Sequence, residues 1–390
     1  MRELKTTIKG EPSWVIATEQ VELALTERGG HMAPVQFFRD SDHPVQPYWF
    51  SPWQGTGIST GEPVLDPARG DFFCMPFGSE NAYRGEAHPA HGEPAGSRWE
   101  LLSLEESGGV TEMRLGLTTT IRRGRITKRV ALAAAENTLY LEHLLEGYQG
   151  RMCLGHHANL AVPEEPDSLR VSVSPLRLAR VAPREALTNV GKEYYFLEPG
   201  RTFTRLDRVP TIWKDRPYAD LSTHPIFPGF MDVAAVYPAP GRWPAWTAVV
   251  IPASGSLWFS LRDPLVLPQT TMWMSNGGRH QAPWNSANRV LGLEDGCAYF
   301  ASGLTRSAAR NDLNAAGIPT VLTLRPDRPT RIRVIQGMAR VPRGFDRVKS
   351  VTFRPGFVVF TSRSGKTARA LARWDFLATG AVGSSRQSSR

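Results

Sequence analysis

The sequence predicts an all-β protein, an antiparallel β-supersandwich of two large packed sheets. Three observations predict it. Short runs of alternating apolar and polar residues recur along the chain, as strands with one buried face require. Gly, Pro, Asn and Asp separate those runs, with 35 Gly and 31 Pro in 390 residues, and these residue types mark turns. Helical periodicity is nearly absent.

The runs begin with "VELALTERGG" (21–30), whose paired glycines predict a tight turn. "SRWELLSL" (97–104), "TEMRLGLTTTI" (111–121), "GRITKRVALAA" (124–134) and "TLYLEHLLEGY" (138–148) follow, each apolar at every second position over part of its length. "AWTAVVIPA" (245–253) and "SLWFSLRD" (256–263) are separated by a short Ser/Gly turn. "PTVLTLRP" (319–326) and "TRIRVIQGMARV" (330–341) come next, and "SVTFRPGFVVFTS" (350–362) carries its own Pro-Gly turn. One helix is expected at about Thr305–Ala316, closed by Gly317 and Pro319. The Pro-rich segment 40–70 reads as a long irregular loop, and loops of that length in a compact domain often carry function. Residues 1–340 are expected to form one β-sandwich domain. Residues 341–377 would add C-terminal strands packed on it, and 378–390, ending "GAVGSSRQSSR", a disordered tail.

Composition narrows the function classes. The net charge of +9 suggests a polyanion partner until its distribution is read. Val321–Arg390 carries 15 Lys/Arg against 3 Asp/Glu, so the first 320 residues are net negative. The basicity is a property of the C-terminal part, and nucleic acid is not the expected partner. No run of 18 apolar residues occurs, so no membrane-spanning helix is expected. The N-terminal stretch lacks an apolar signal region, and three well-separated cysteines favour free thiols. A cytoplasmic protein is therefore expected.

Four stretches concentrate reactive side chains. "GDFFCMPFGSENAYRGEAHPAHG" (70–92) runs from an apolar strand into a loop with Arg84, His88 and His91. "CLGHHANLAV" (153–162) sets His156 beside His157 in an apolar, strand-like run, with Asn159 two residues on. Neighbouring strand residues face opposite sides of a sheet, so at most one of the two histidines can face a given pocket. "TMWMSNGGRHQAPW" (271–284) supplies Trp273, Arg279 and Trp284. "RVLGLEDGCAYF" (289–300) places Glu294 in an apolar strand, with Asp295 expected to start the turn.

This set suits a sugar ligand. Aromatic faces stack on the apolar side of a pyranose, while His, Arg, Asn and carboxylate groups bond its hydroxyls. A carboxyl in an apolar strand can have its pKa raised into the range of a general base, and a histidine opposite can supply the acid. His88 and His91, together with His156/His157, also permit a metal reading, but histidines three apart on a loop have no fixed geometry, and neither an HExxH helix nor paired cysteines accompany them. No cofactor is expected: phosphate-binding, dinucleotide and nucleophile-elbow motifs are lacking.

The order of these motifs resembles the galactose mutarotase-like superfamily, the fold of the aldose 1-epimerases. The resemblance covers roughly residues 20–340. It is carried by "VELALTERGGHMAPVQF" (21–37), Arg84 and the His91-Gly92 step before "SRWEL", "LYLEHLLEGYQGRMCLGHHANL" (139–160), "LGLED" (291–295) and "TVLTLRPDRPTRIRV" (320–334), read as an edge strand. His157-Ala158-Asn159-Leu160 fits the family's histidine segment. That leaves His156 the outward or packing position, although it too counts among the binding candidates. The resemblance implies a mechanism. Glu294 would take the proton of the anomeric hydroxyl, His157 would protonate the ring oxygen, His91 would position the sugar, and Arg84 would hold hydroxyls. Asn159, Trp273, Arg279 and Trp284 complete the expected binding set. Two other classes share such sandwiches: non-catalytic carbohydrate-binding or regulatory proteins, and carbohydrate-cleaving lyases or glycosidases. A glycosidase would need two carboxylates facing one cleft.

Overall fold

The computed structural model describes residues 5–187, 192–241 and 243–382. About 50% of the chain is strand and 6% helix. A nine-stranded and an eight-stranded antiparallel sheet form the centre of the molecule. A four-stranded sheet, Lys5–Ile8 to Met32–Phe37, precedes them.

The alternation of each run decides which side chains fill the space between the large sheets. In Gly124–Ala133 of the nine-stranded sheet, Ile126, Val130 and Leu132 join the main core, and Ala131 and Ala133 face away. In Gln269–Asn276 of the eight-stranded sheet, Met272 and Met274 join the same core, and Trp273 faces away. Each large sheet therefore has a second, outer face that must be covered.

The C-terminal strands cover the outer face of the nine-stranded sheet. Val348–Arg354, Phe357–Ser362 and Thr367–Leu371 form a separate three-stranded sheet. Its Val358, Phe360, Ala368 and Ala370 pack against Tyr140, Phe259 and Ile335. Burial continues past the expected end of this segment. Residues 378–382, anticipated as part of a disordered tail, are packed. The Ala378 carbonyl accepts from Arg333, the Gly380 carbonyl accepts from Arg129, and Val382 is buried. The rest of the anticipated tail, 383–390, lies outside the described residues.

Two other expectations are corrected. The single helix at 305–316 is two short ones, Gly303–Ala308 and Asp312–Ala315. Asn311 interrupts it because its side chain accepts from the Asn314 amide, which starts a new helix. Thr330–Arg340, read as an edge strand, lies inside the nine-stranded sheet between Ser256–Arg262 and Thr138–Glu146. It is buried on both faces, since the C-terminal sheet covers its outer side.

Candidate active site

A cavity of about 760 Å³ opens on the outer face of the eight-stranded sheet. The 40–70 loop roofs part of it with Trp49, Leu65 and Ala68, and residues 279–284 form another wall. Glu294, His157, His91, Asn159, Trp273, Arg279 and Trp284 all line it.

Strand register assembles its floor. Leu154–His156 and Ala158–Ala161 both pair antiparallel with Arg289–Cys297. Gly155 lies opposite Gly296 and Ala158 opposite Leu293, so the same register sets His157 opposite Glu294 and His156 opposite Asp295. The next strand continues both rows, with Thr271 opposite Glu294 and Thr270 opposite Asp295. Alternation then sends His157, Glu294 and Thr271 into the cavity and His156, Asp295 and Thr270 between the sheets. Gly292 lies close beside them, and a Cβ there would lie 2.7 Å from Glu294 Oε1 and displace that carboxyl.

His157 Nε2 lies 3.1 Å from Glu294 Oε1, and the two side chains are 8% and 2% exposed. Burial pushes the Glu294 carboxyl well above the ordinary carboxylate range, with Arg279 opposing. Burial also pushes His157 well below its ordinary value, and neighbouring His91 adds to this. Either as carboxylic acid and imidazole or as carboxylate and imidazolium, the pair holds one proton and no net charge. That state is the one a buried site favours.

The surrounding groups orient this pair. The His157 ring stacks on Phe72 at 4.6 Å between centroids, and His91 meets it edge-on at 4.8 Å. His157 donates its backbone N–H to the Phe72 carbonyl. Asn159 donates to the Gly70 and His157 carbonyls, and among the described residues its buried Oδ1 has no hydrogen-bond partner. The Arg279 guanidinium lies over the Trp273 and Trp284 rings, 5.1 and 4.6 Å from their centroids, and donates to Glu193 at 2.5 Å. The two indoles are buried in a cluster with Trp49 and Trp53, so they form a wall rather than an open stacking platform. Trp273 Nε1 is a buried donor with no partner among the described residues.

Two anticipated binding residues stand elsewhere. Arg84 is exposed at a hairpin tip between Asn81–Tyr83 and Glu86–His88, with its guanidinium over the Tyr83 ring. His156 Nδ1 lies 2.8 Å from Asp71 Oδ2, and its ring packs against His143 and Phe73 between the sheets. His88, also part of the metal reading, lies 2.9 Å from Glu86, while His91 lines the cavity. Asp295 belongs to the strand rather than the turn, and its carboxylate pairs with Arg262. Sequence reasoning missed Phe72, Glu193 and Tyr195. Phe72 was accessible through its strand "DFFC"; Glu193 and Tyr195 sit in a loop with no periodic signal.

No protein-family model matches the sequence, and neither does any curated protein. Solved structures do match. A putative aldose 1-epimerase from Klebsiella pneumoniae aligns over 86% of this chain and 82% of its own, at 15% identity and a TM-score of 0.57. A putative mutarotase from Salmonella typhimurium aligns over 86% and 93%, at 12% identity and a TM-score of 0.57. A putative aldose 1-epimerase from Escherichia coli aligns over 84% and 98%, at 12% identity and a TM-score of 0.54. The chain has the galactose mutarotase-like fold. In this mutarotase-like fold the cavity is built on the outer face of the eight-stranded sheet, and no helix among the described residues is long and apolar enough to cross a membrane.

Buried histidines give the protein a defined acid response. Burial lowers His91 to about 4, His31 to about 3 and His224 to about 4, and pushes His143 and His157 well below their ordinary value. The unfolded chain takes up protons near pH 6.5 that these rings refuse, so they lower stability as pH falls from 6.5 towards 4. Glu294 and Asp232, the latter pushed up to about 8 by burial, act in the opposite sense. Their folded forms keep a proton that the unfolded chain releases, which favours folding as pH falls. Five rings outnumber two carboxyls, and the urea midpoint is expected to be lower at pH 5 than at pH 7. Equal midpoints would show that the rings titrate as solvated groups.

Proposed function

We propose that the protein is an aldose 1-epimerase-like enzyme that interconverts the anomers of a sugar by acid–base catalysis. The observation that carries this reading is the buried Glu294–His157 contact of 3.1 Å on the cavity floor. Ring opening of a hemiacetal needs one proton removed from the anomeric hydroxyl and one delivered to the ring oxygen. Both oxygens are bonded to the same carbon, so two touching groups can serve both without spanning the ring. Glu294 as carboxylate takes the hydroxyl proton, and His157 as imidazolium gives its proton to the ring oxygen. The C1–O5 bond breaks as the C1 carbonyl forms. Rotation about C1–C2 and the reverse transfers close the other anomer. The pair begins and ends with one proton, so no net charge is buried at any stage.

Asn159 Oδ1 and Trp273 Nε1 are an acceptor and a donor for sugar hydroxyls, and unmade hydrogen bonds of buried groups favour a polar ligand. A glycosidase would need a second carboxylate on the cleft. Glu62, Glu80, Glu185 and Glu193 also line the cavity, Glu193 being bonded by Arg279 and Tyr195, so the product formed, a cleaved glycoside or an interconverted anomer, separates the two classes. Polarimetry on freshly dissolved α-anomers of aldoses tests the reading. The protein is expected to speed the approach to anomeric equilibrium. If calorimetry shows sugar binding while the optical rotation drifts at the buffer rate, the protein is a binding module on this fold.

A further inference from the structure

His91 is the second histidine ring at the cavity, and its surroundings select one of its two neutral forms. Its backbone adopts a left-handed φ of 60°, held by an N–H bond to the Gly78 carbonyl and by the Met75 N–H donating to its own carbonyl. Phe72 and Phe77 meet its ring edge-on at 5.8 and 5.7 Å. Cys74, on the strand beside Leu154–His156, places its Sγ 3.2 Å from His91 Nδ1. Among the described residues nothing hydrogen-bonds the other nitrogen, Nε2.

We propose that Cys74 is a positioning residue: its S–H donates to His91 Nδ1, fixes the Nε2–H tautomer, and so makes His91 a hydrogen-bond donor to the ligand. The chemistry of both partners leads there. Burial, with Glu294 and Asp71 nearby, pushes the Cys74 thiol up, so the sulfur keeps its proton and can donate. Burial and Arg279 keep the His91 ring neutral at pH 7, so it carries one N–H, and with the Cys74 S–H donating to Nδ1 that N–H is on Nε2. A donor at Nε2 suits a hydroxyl oxygen of the ligand and cannot take a proton from it. His91 therefore binds, and the acid–base work stays with Glu294 and His157; this division of labour rests on the proposed function, whereas the tautomer does not.

Nitrogen-15 NMR of the histidine-labelled protein at pH 7, without sugar, reads the tautomer directly. The wild type is expected to show His91 with a protonated Nε2 and a bare Nδ1. Cys74→Ala should admit the second tautomer, and Cys74→Ser, which restores a donor, should suppress it again. A wild-type ring protonated at Nδ1 overturns the proposal, and needs no variant to fold. So does a Cys74→Ala spectrum unchanged from wild type. With a sugar that the wild type turns over, Cys74→Ala should raise KM roughly two- to tenfold, the range of one net hydrogen bond, with kcat near wild type. If the protein does not catalyse mutarotation, the sugar-free spectrum still identifies the tautomer.

Discussion

Glu294→Gln is expected to lower the mutarotation rate by about 10²–10⁴-fold, the usual contribution of a positioned general base. Gln keeps the size and one acceptor oxygen of the side chain, so the cavity keeps its shape. It cannot accept the hydroxyl proton, and it cannot share one with His157 across the 3.1 Å contact. Most ligand contacts, including those offered by Asn159 and Trp273, remain, so sugar affinity should change far less than rate. Polarimetry gives the rate and calorimetry the affinity. A Gln variant that still turns over within a fewfold of wild type would remove Glu294 from the proposed chemistry. A variant that loses binding and rate together would make Glu294 a binding group instead. The wild-type rate should fall as pH rises past the point where the pair loses its one proton, which burial of Glu294 sets well above the usual carboxylate range, and on acidification only where the pair takes a second proton, which burial of His157 sets well below the ordinary imidazole range.

Arg262→Met should cost about 3–5 kcal/mol of folding stability, the range for removing one partner of a buried ion pair. Arg262 Nη1 lies 2.9 Å from Asp295 Oδ1, and both side chains are 2% exposed. Met fills much of the space but leaves the Asp295 carboxylate among apolar neighbours. Ser260 and Thr270 donate to that carboxylate, yet neither carries the compensating charge. Because Asp295 and Glu294 are consecutive, the loss is on the opposite face of the strand from the cavity. The measurement is the urea midpoint, with the double variant Arg262→Met/Asp295→Leu as the companion. The double variant should recover most of the loss, since two apolar groups of similar size leave no charge behind. A single variant as stable as wild type would show that water reaches Asp295.

Much of the fold was legible in local pattern. Strands have a two-residue period, and the runs at 124–134, 138–148 and 256–263 became strands Gly124–Ala133, Thr138–Glu146 and Ser256–Arg262. The expected helix failed at Asn311, whose side chain competes for the backbone N–H that a continuous helix needs. The position of Thr330–Arg340 was not legible either. A strand under a second sheet is buried on both faces, and its sequence does not say which strands flank it.

The same division runs through the site. Adjacent residues of a strand point apart, so the sequence already placed His156 and His157 on different sides. It also determined that aromatic, histidine and carboxyl groups sufficient for a sugar site exist in four separated stretches. Which side is which came from strand pairing. Pairing of 154–161 with 289–297 sets His157 against Glu294 on the cavity face and His156 towards Asp71 in the interior. Only the tertiary structure joined Arg279 to Glu193, moved Arg84 to an exposed hairpin tip, and brought Cys74 to His91. The physical reason is range. Alternation is set by the sterics of neighbouring residues, whereas register and hydrogen-bond partners join groups far apart in the chain, 137 positions for His157 and Glu294, and depend on every strand between them.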